Sequence, residues 1–246
     1  MRETAASRPT TEAVYGRPPL RKHRMNVQTE RLNDGTSRFL QFAWIGIFAA
    51  VLIWSAIGPK DYPTWVLEVL PAVIGAGILW FTRRKYPLTR LTYLLILIHS
   101  IVLIVGGHYT YAEVPLFDWI ADAFDHDRNN YDKLGHFLQG FVPAVIAREI
   151  TIRNGVFSTA GWRNFFIGGL CLGIAAFYEL IEWIAALVST GVADSFLGTQ
   201  GYVWDTQSDM AWALFGAILA LLLLGRVHDR QLRARPWRHR PAAGDA

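Results

Sequence analysis

The chain has 246 residues, 52% of them hydrophobic, and a formal net charge of +4. Its apolar residues are gathered into long uncharged runs, a pattern that excludes an ordinary soluble domain. Its bases collect in the two tails and two short loops, which is how membrane orientation signals are distributed and argues against nucleic acid as a partner. The one cysteine, Cys171, lies inside an apolar run, so neither an intramolecular disulfide nor a thiolate metal cluster can form.

Residues 1–37 read as a disordered basic cytoplasmic tail, broken by Pro9, Pro18, Pro19, Gly16 and Gly35. No apolar stretch precedes Phe39, a layout unlike that of a cleaved signal peptide. The first apolar run covers 39–57, close to the roughly 20 residues that cross a bilayer. A tight turn at 58–63 leads to a second run over 65–81, where Glu68 sits within a turn of the end and reads as an interfacial group. A basic loop with Arg83, Arg84, Lys85 and Arg90 precedes the third run, 91–107. The acidic segment 108–131 follows. Within it, 115–124 alternates apolar and acidic residues with helical period, as an amphipathic surface helix does. The fourth run covers 134–152 and the fifth 162–188; a glycine-bearing loop (Gly191, Gly198, Gly201) leads to the sixth, 205–224. Arg148 and Glu149 read as groups of the cytoplasmic interface, and the tail 226–246 is again basic. The expected fold is therefore all-α: a polytopic bundle of six transmembrane helices over 38–225, with one short amphipathic helix in the third-to-fourth loop. Both basic tails and both basic loops fall on one side, which the positive-inside rule assigns to the cytoplasm.

Depth then organises the polar residues. The fourth run enters from outside with Asp132 and His136, one helical turn apart on the same face. The fifth enters from inside, so Glu179 and Glu182 lie about 25 to 30 Å along it, in the outer leaflet. The sixth enters from outside with Asp205, Gln207 and Asp209. Three pairs reach one depth independently. Each buried carboxylate costs roughly 2.5 to 3.5 kcal/mol on insertion scales, and Lys133 and Arg128 are too few to balance them all. Either a bound cation or shared protons must offset the rest. Glu179, Glu182, Asp205, Asp209 and His136 are accordingly candidate ligands of a divalent metal, with Mg2+, Mn2+, Ca2+, Fe and Zn2+ compatible with such a set. His136 and Asp132 are candidate acid–base groups, and His108, Tyr109, Tyr111 and Glu113, at the outer end of the third run, are candidates for the rim. Asp125-x-Asp127-x-Asn129 begins like a calcium loop, but Asn130 stands at its sixth position and His136 at its twelfth, so it is set aside. Ser195 and Ser208 have no demonstrable base partner, and a Ser-His-Asp mechanism is unsupported.

Gly106-Gly107-His108-Tyr109-Thr110-Tyr111-Ala112-Glu113-Val114-Pro115, Tyr131-Asp132-Lys133-Leu134-Gly135-His136-Phe137-Leu138-Gln139-Gly140-Phe141 and the stretch from Phe196 to Met210 resemble the YjdF-like inner-membrane proteins of bacteria. The likeness covers about residues 40–225 and implies a multi-pass protein of the inner membrane; Tyr202 stands where that pattern leads one to expect an acid. Asp132-Lys133-x-x-His136 and Asp205-x-x-x-Asp209 are also similar, more loosely, to the VanZ-like membrane proteins, a family associated with the cell envelope. The leading expectation is an outward-facing acidic and histidine site that acts on an envelope lipid or lipid-linked substrate. The alternatives are a proton- or cation-coupled transporter, which needs polar groups continuing toward the cytoplasm, and a structural protein whose acids only pair internally.

Overall fold

The computed structural model describes the backbone of residues 20–188, 200 and 202–234, and the side chains from residue 38 onward within those stretches. The glycine-bearing loop expected over 189–203 falls largely outside the described residues, as do Ser195, the first part of the N-terminal tail and the tail beyond residue 234. Among the described residues every regular element is helical: α1 (Leu20–Ser55), α2 (Tyr62–Thr82), α3 (Arg90–Tyr109), a 3-10 turn (Tyr111–Glu113), α4 (Pro115–Phe124), α5 (Tyr131–Arg153), α6 (Ala160–Val188) and α7 (Asp205–Arg233). Two boundaries differ from expectation. α1 begins at Leu20, inside the segment expected to be disordered, because 20–31 is dominated by Leu, Arg, Lys, Met, Gln and Glu, all good helix formers. α7 runs to Arg233, past the expected limit at 225, since nothing in 225–233 breaks a helix except Gly225.

Contacts divide the chain into two compact units, Met1–Gly46 and Ile47–Ala246. The second contains all the buried polar groups among the described residues. Five helices are long and apolar enough to cross a membrane: the 38–55 part of α1, then α2, α3, α6 and α7. α5 is not among them because it carries Asp132, Lys133, Arg148, Glu149 and Arg153. It is instead the helix the others cover. α5 packs against α3, α6 and α7, and its buried residues lie all round the helix.

The other helices are two-sided. Ile167, Cys171, Ala175, Glu179 and Glu182 form one buried stripe at helical spacing along α6, while Phe165, Phe166, Leu170, Phe177, Leu180, Trp183, Ile184 and Leu187 are exposed on it. Large apolar side chains facing outward suit a lipid solvent. α7 repeats the pattern with a buried stripe of Asp205, Asp209, Ala213, Gly216, Ala217 and Ala220. Small residues on that stripe let α5 and α7 meet backbone to backbone. A Cβ placed on Gly140 would fall on the Ala213 carbonyl, and one on Gly216 would fall on that of Phe137.

The ends of the helices are fixed by ordinary capping. Asp61 accepts from the Thr64 amide at 2.8 Å at the start of α2, and Thr89 accepts from the Thr92 amide at 3.3 Å at the start of α3. α3 stops at Thr110, whose φ of 60° is uncommon for a β-branched residue. That turn drops the Tyr111 ring into a slot between Gly106 and Gly135, where a Cβ on either glycine would strike it.

Candidate functional site

Asn129 sets the start of α5. Its side chain donates to the Val114 carbonyl at 3.0 Å and to Asp118 at 2.7 Å, and accepts from the Tyr131 amide at 3.0 Å. The next helical turn then presents Asp132, Lys133 and His136 to α6 and α7.

Lys133 is the hub of one half of the cluster. Its ammonium donates to Asp205 Oδ1 and to Asp209 Oδ1, each at 2.7 Å, and stands 3.6 Å from Asp132 Oδ2. Arg128 adds a hydrogen bond to Asp205 Oδ1 at 2.8 Å. The Tyr202 ring lies 5.3 Å from the Arg128 guanidinium and 5.8 Å from the Lys133 ammonium, within cation–π range of both. An aromatic face over two cations is what occupies the position where an acid was expected.

His136 is the hub of the other half. Its Nε2 faces Asp132 Oδ1 at 3.3 Å, Glu179 Oε1 at 3.6 Å and Asp209 Oδ1 at 3.9 Å. Its Nδ1 shares a hydrogen bond with the Gln139 side-chain amide at 2.9 Å, which fixes the orientation of the ring. Two sets of three have their ligand atoms within 4.8 Å of one another: Asp132, His136 and Asp209, and His136, Glu179 and Glu182. Glu179 Oε1 is buried without a hydrogen-bond partner, a costly state for a carboxylate unless something else satisfies it.

The structure thus brings Asp132, His136, Glu179, Glu182 and Asp209 together. Asp205 is drawn one step away, to Lys133 and Arg128, and belongs to neither three-residue set. Gln207 is exposed on α7. Of the four expected rim residues, Tyr111 lines a cavity beside His136 and the other three are engaged elsewhere. His108 Nδ1 lies 2.9 Å from the Ser55 carbonyl and its ring packs on Trp54; Tyr109 packs on both of those rings; Glu113 pairs with Lys60. Together they tie down the α1–α2 turn.

Two residues at the site were missed. Glu68 was read as interfacial, yet it is buried, accepts from the Tyr178 hydroxyl at 3.2 Å, and shares a cavity with His136. With α2 starting at Tyr62, Glu68 stands nearly two turns inside the helix, against α3. His99 lines the same cavity from α3. A histidine within an apolar run was the signal available for it.

A second buried polar network occupies the other end of α5, and it holds both Arg148 and Glu149 inside the bundle. Glu149 is fully buried. It accepts from the Thr89 amide at 2.9 Å, the Thr89 hydroxyl at 2.9 Å, the Thr92 hydroxyl at 2.7 Å and Arg153 at 3.2 Å, and its Oε2 lies 3.2 Å from His228 Nε2. Arg148 holds His228 Nδ1 at 3.2 Å and Asp229 at 2.6 Å. This network pins the α2–α3 loop and the end of α7 to α5. Thr92→Val keeps the shape and deletes one hydrogen bond to a charged group. It should lower unfolding stability in detergent by about 1.5–3 kcal/mol; an unchanged melting curve would remove Thr92 from the clamp.

Residues 40–230 match the family described as "Predicted membrane protein (DUF2238)". The chain belongs to that family. It is also 50% identical over 183 residues to the "Inner membrane protein YjdF" of Escherichia coli (strain K12), covering 74% of this chain and 88% of that protein. No solved structure matches. The family match takes in both hubs and the Glu149 network, so the whole buried polar arrangement lies within the shared region.

Proposed function

We propose that the chain is an inner-membrane protein whose outer-leaflet centre holds a divalent cation and acts on an envelope lipid or lipid-linked substrate. The observation that carries this reading is the ring of carboxylates around His136: Asp132, Glu179, Glu182 and Asp209, contributed by three helices. Lys133 and Arg128 spend their charge on Asp205 and one oxygen of Asp209, which leaves Glu179 and Glu182 without a Lys or Arg partner among the described residues. Carboxylate oxygens with one imidazole suit a hard or borderline divalent ion. Such an ion would supply Lewis acidity to a bound oxygen group. His136, steered by Gln139, is then placed to move a proton.

The topology proper to this reading is six crossings with both termini in the cytoplasm. α5 has the length of a span, and its charges are tolerable because neighbouring helices cover them. α4 lies along the outer surface in this arrangement, with Leu116, Trp119 and Phe124 exposed toward the acyl boundary. The inner-membrane assignment follows the name of the Escherichia coli relative.

The ion-coupled carrier is favoured by one observation, the Glu149–His228 network at the cytoplasmic end. Against it, Ala144, Val145, Ile167, Cys171, Ala217 and Ala220 fill the bundle between the two networks with an apolar cluster, so polar groups do not run through.

Metal analysis of the detergent-purified protein by mass spectrometry separates these readings. About one divalent ion per chain is expected in the wild type, as the two candidate sets share His136, and none in a Glu179→Gln, Asp209→Asn double variant. A metal-free wild type after purification without chelator would sink the cation reading and leave proton coupling.

A further inference from the structure

Beside His136 lies a half-open cavity of about 200 Å³ walled by α2, α3, α5 and α6 and by Tyr111. A water molecule takes about 30 Å³ in the liquid, so the space exceeds what one metal ion needs. Three carboxylates face it: Glu68, Asp132 and Glu182. Asp132 is balanced by His136 and Lys133. Glu68 and Glu182 have no ion pair with a Lys or Arg among the described residues. A further polar atom on the wall, His99 Nε2, is buried without a hydrogen-bond partner, while the Tyr111 hydroxyl, on a residue only 7% exposed, faces Glu68. Buried polar atoms are normally satisfied, so His99 Nε2 points to a guest in the cavity.

The lining specifies the guest's chemistry. Excess carboxylate is met by a cation or by shared protons, and a space of this size has room for the cation. The cavity is too roomy for a bare ion, and its carboxylates alternate with the tyrosines 111 and 178, whose rings favour an organic cation. A primary ammonium carries three N–H donors, and Glu68 on α2, a carboxylate outside both metal-spaced sets, is the acceptor left for it. We propose that this cavity binds a protonated primary amine, the cationic end of a small molecule or of a lipid headgroup, with Glu68 as its principal counter-ion. The proposal deepens the reading of an envelope substrate by naming the substrate's charged group, and rests on that reading only for the membrane source.

The test uses the full chain purified in amine-free buffer. Calorimetric titration with ethanolamine should show saturable binding, and ethylene glycol, which lacks the amine, should show none. Glu68→Gln should weaken ethanolamine binding about tenfold or more, the size of one hydrogen bond to a charged group. Glu68→Asp, which keeps the charge but withdraws it by one methylene, should weaken it several-fold and serves if Glu68→Gln does not fold. Where free ethanolamine fails to bind, native mass spectrometry from nanodiscs decides the lipid source. Retention of phosphatidylethanolamine over phosphatidylglycerol, lost in Glu68→Gln, would support a headgroup site. The proposal is overturned if neither form of the amine binds, if ethylene glycol or phosphatidylglycerol binds equally, or if the variants bind like wild type. Metal content of the same preparations reports on the divalent centre separately, since Glu68 belongs to neither metal-spaced set.

Discussion

Gly140→Leu is expected to abolish recovery of folded protein, and Gly216→Leu should do the same from the opposite helix. Overpacking a core commonly costs about 1–3 kcal/mol, because side chains rotate and backbones drift to make room. Here the obstacle to a new Cβ on Gly140 is the Ala213 backbone, and for Gly216 it is the Phe137 backbone. Neither can turn aside, so the cost must exceed that range. The contact they break is α5 against α7, which sets Lys133 onto Asp205 and Asp209 and, at the far end, Glu149 onto His228. Both polar networks would lose their partners with the helix contact. Gly173→Ala is the control: nothing lies within 4 Å of its Cβ, and replacing an interior helical glycine should be neutral or gain up to about 1 kcal/mol. The yield of monodisperse protein after size-exclusion chromatography reads all three. Normal yield of both leucine variants would mean that α5 and α7 do not touch this closely.

How much of this could be read from the sequence depends on whether the information is local. Asp132 with His136, Glu179 with Glu182 and Asp205 with Asp209 each announce themselves by helical spacing inside or beside an apolar run. Charge placement gives an expected direction to each run, and direction an expected depth. That is why the convergence on His136 could be anticipated. Lys133 claiming Asp205 could not be, since the two are 72 positions apart and spacing says nothing about which acid a lysine will choose. Glu149 failed for the same reason: its donors come from Thr89 and Thr92, before and in α3, and it meets His228 in α7. Next to Arg148 and near a run's end, it looks interfacial by every local rule. Glu68 misled differently. Its distance from the apolar boundary was counted from Trp65, but the helix begins earlier, at Tyr62, with Pro63 in its first turn and Asp61 as its cap. The apolar run 134–152 reads as a span, but with Asp132, Lys133, Arg148, Glu149 and Arg153 α5 is not among the five helices apolar enough to cross a membrane, and neighbouring helices cover it instead.

Lys133→Met should destabilise the protein by about 3–5 kcal/mol, the usual consequence of removing one partner from a buried charge cluster. The methionine fills nearly the same volume, so packing is not the cause. Asp205 would retain Arg128, but Asp209 would lose the one cation whose hydrogen bond it accepts. If that is the origin of the loss, neutralising Asp209 as well should restore most of it, and the Lys133→Met, Asp209→Asn protein should be more stable than Lys133→Met alone. Additivity of the two changes within about 0.5 kcal/mol would show that the pair is not coupled, against the 2.7 Å geometry. The same substitution bears on function with the opposite sign. Lys133 is a tethered positive charge next to the carboxylates that surround His136, and Asp209 Oδ1 is shared between the two hubs. Removing the ammonium frees that oxygen and deletes a repulsive charge, so divalent-ion affinity should rise in Lys133→Met even as the fold weakens; each tenfold gain corresponds to about 1.4 kcal/mol. A purely structural cluster predicts instability with no gain in ion binding. Stability and affinity moving in opposite directions on one substitution is therefore the outcome that a binding centre, and not a simple internal salt bridge, requires.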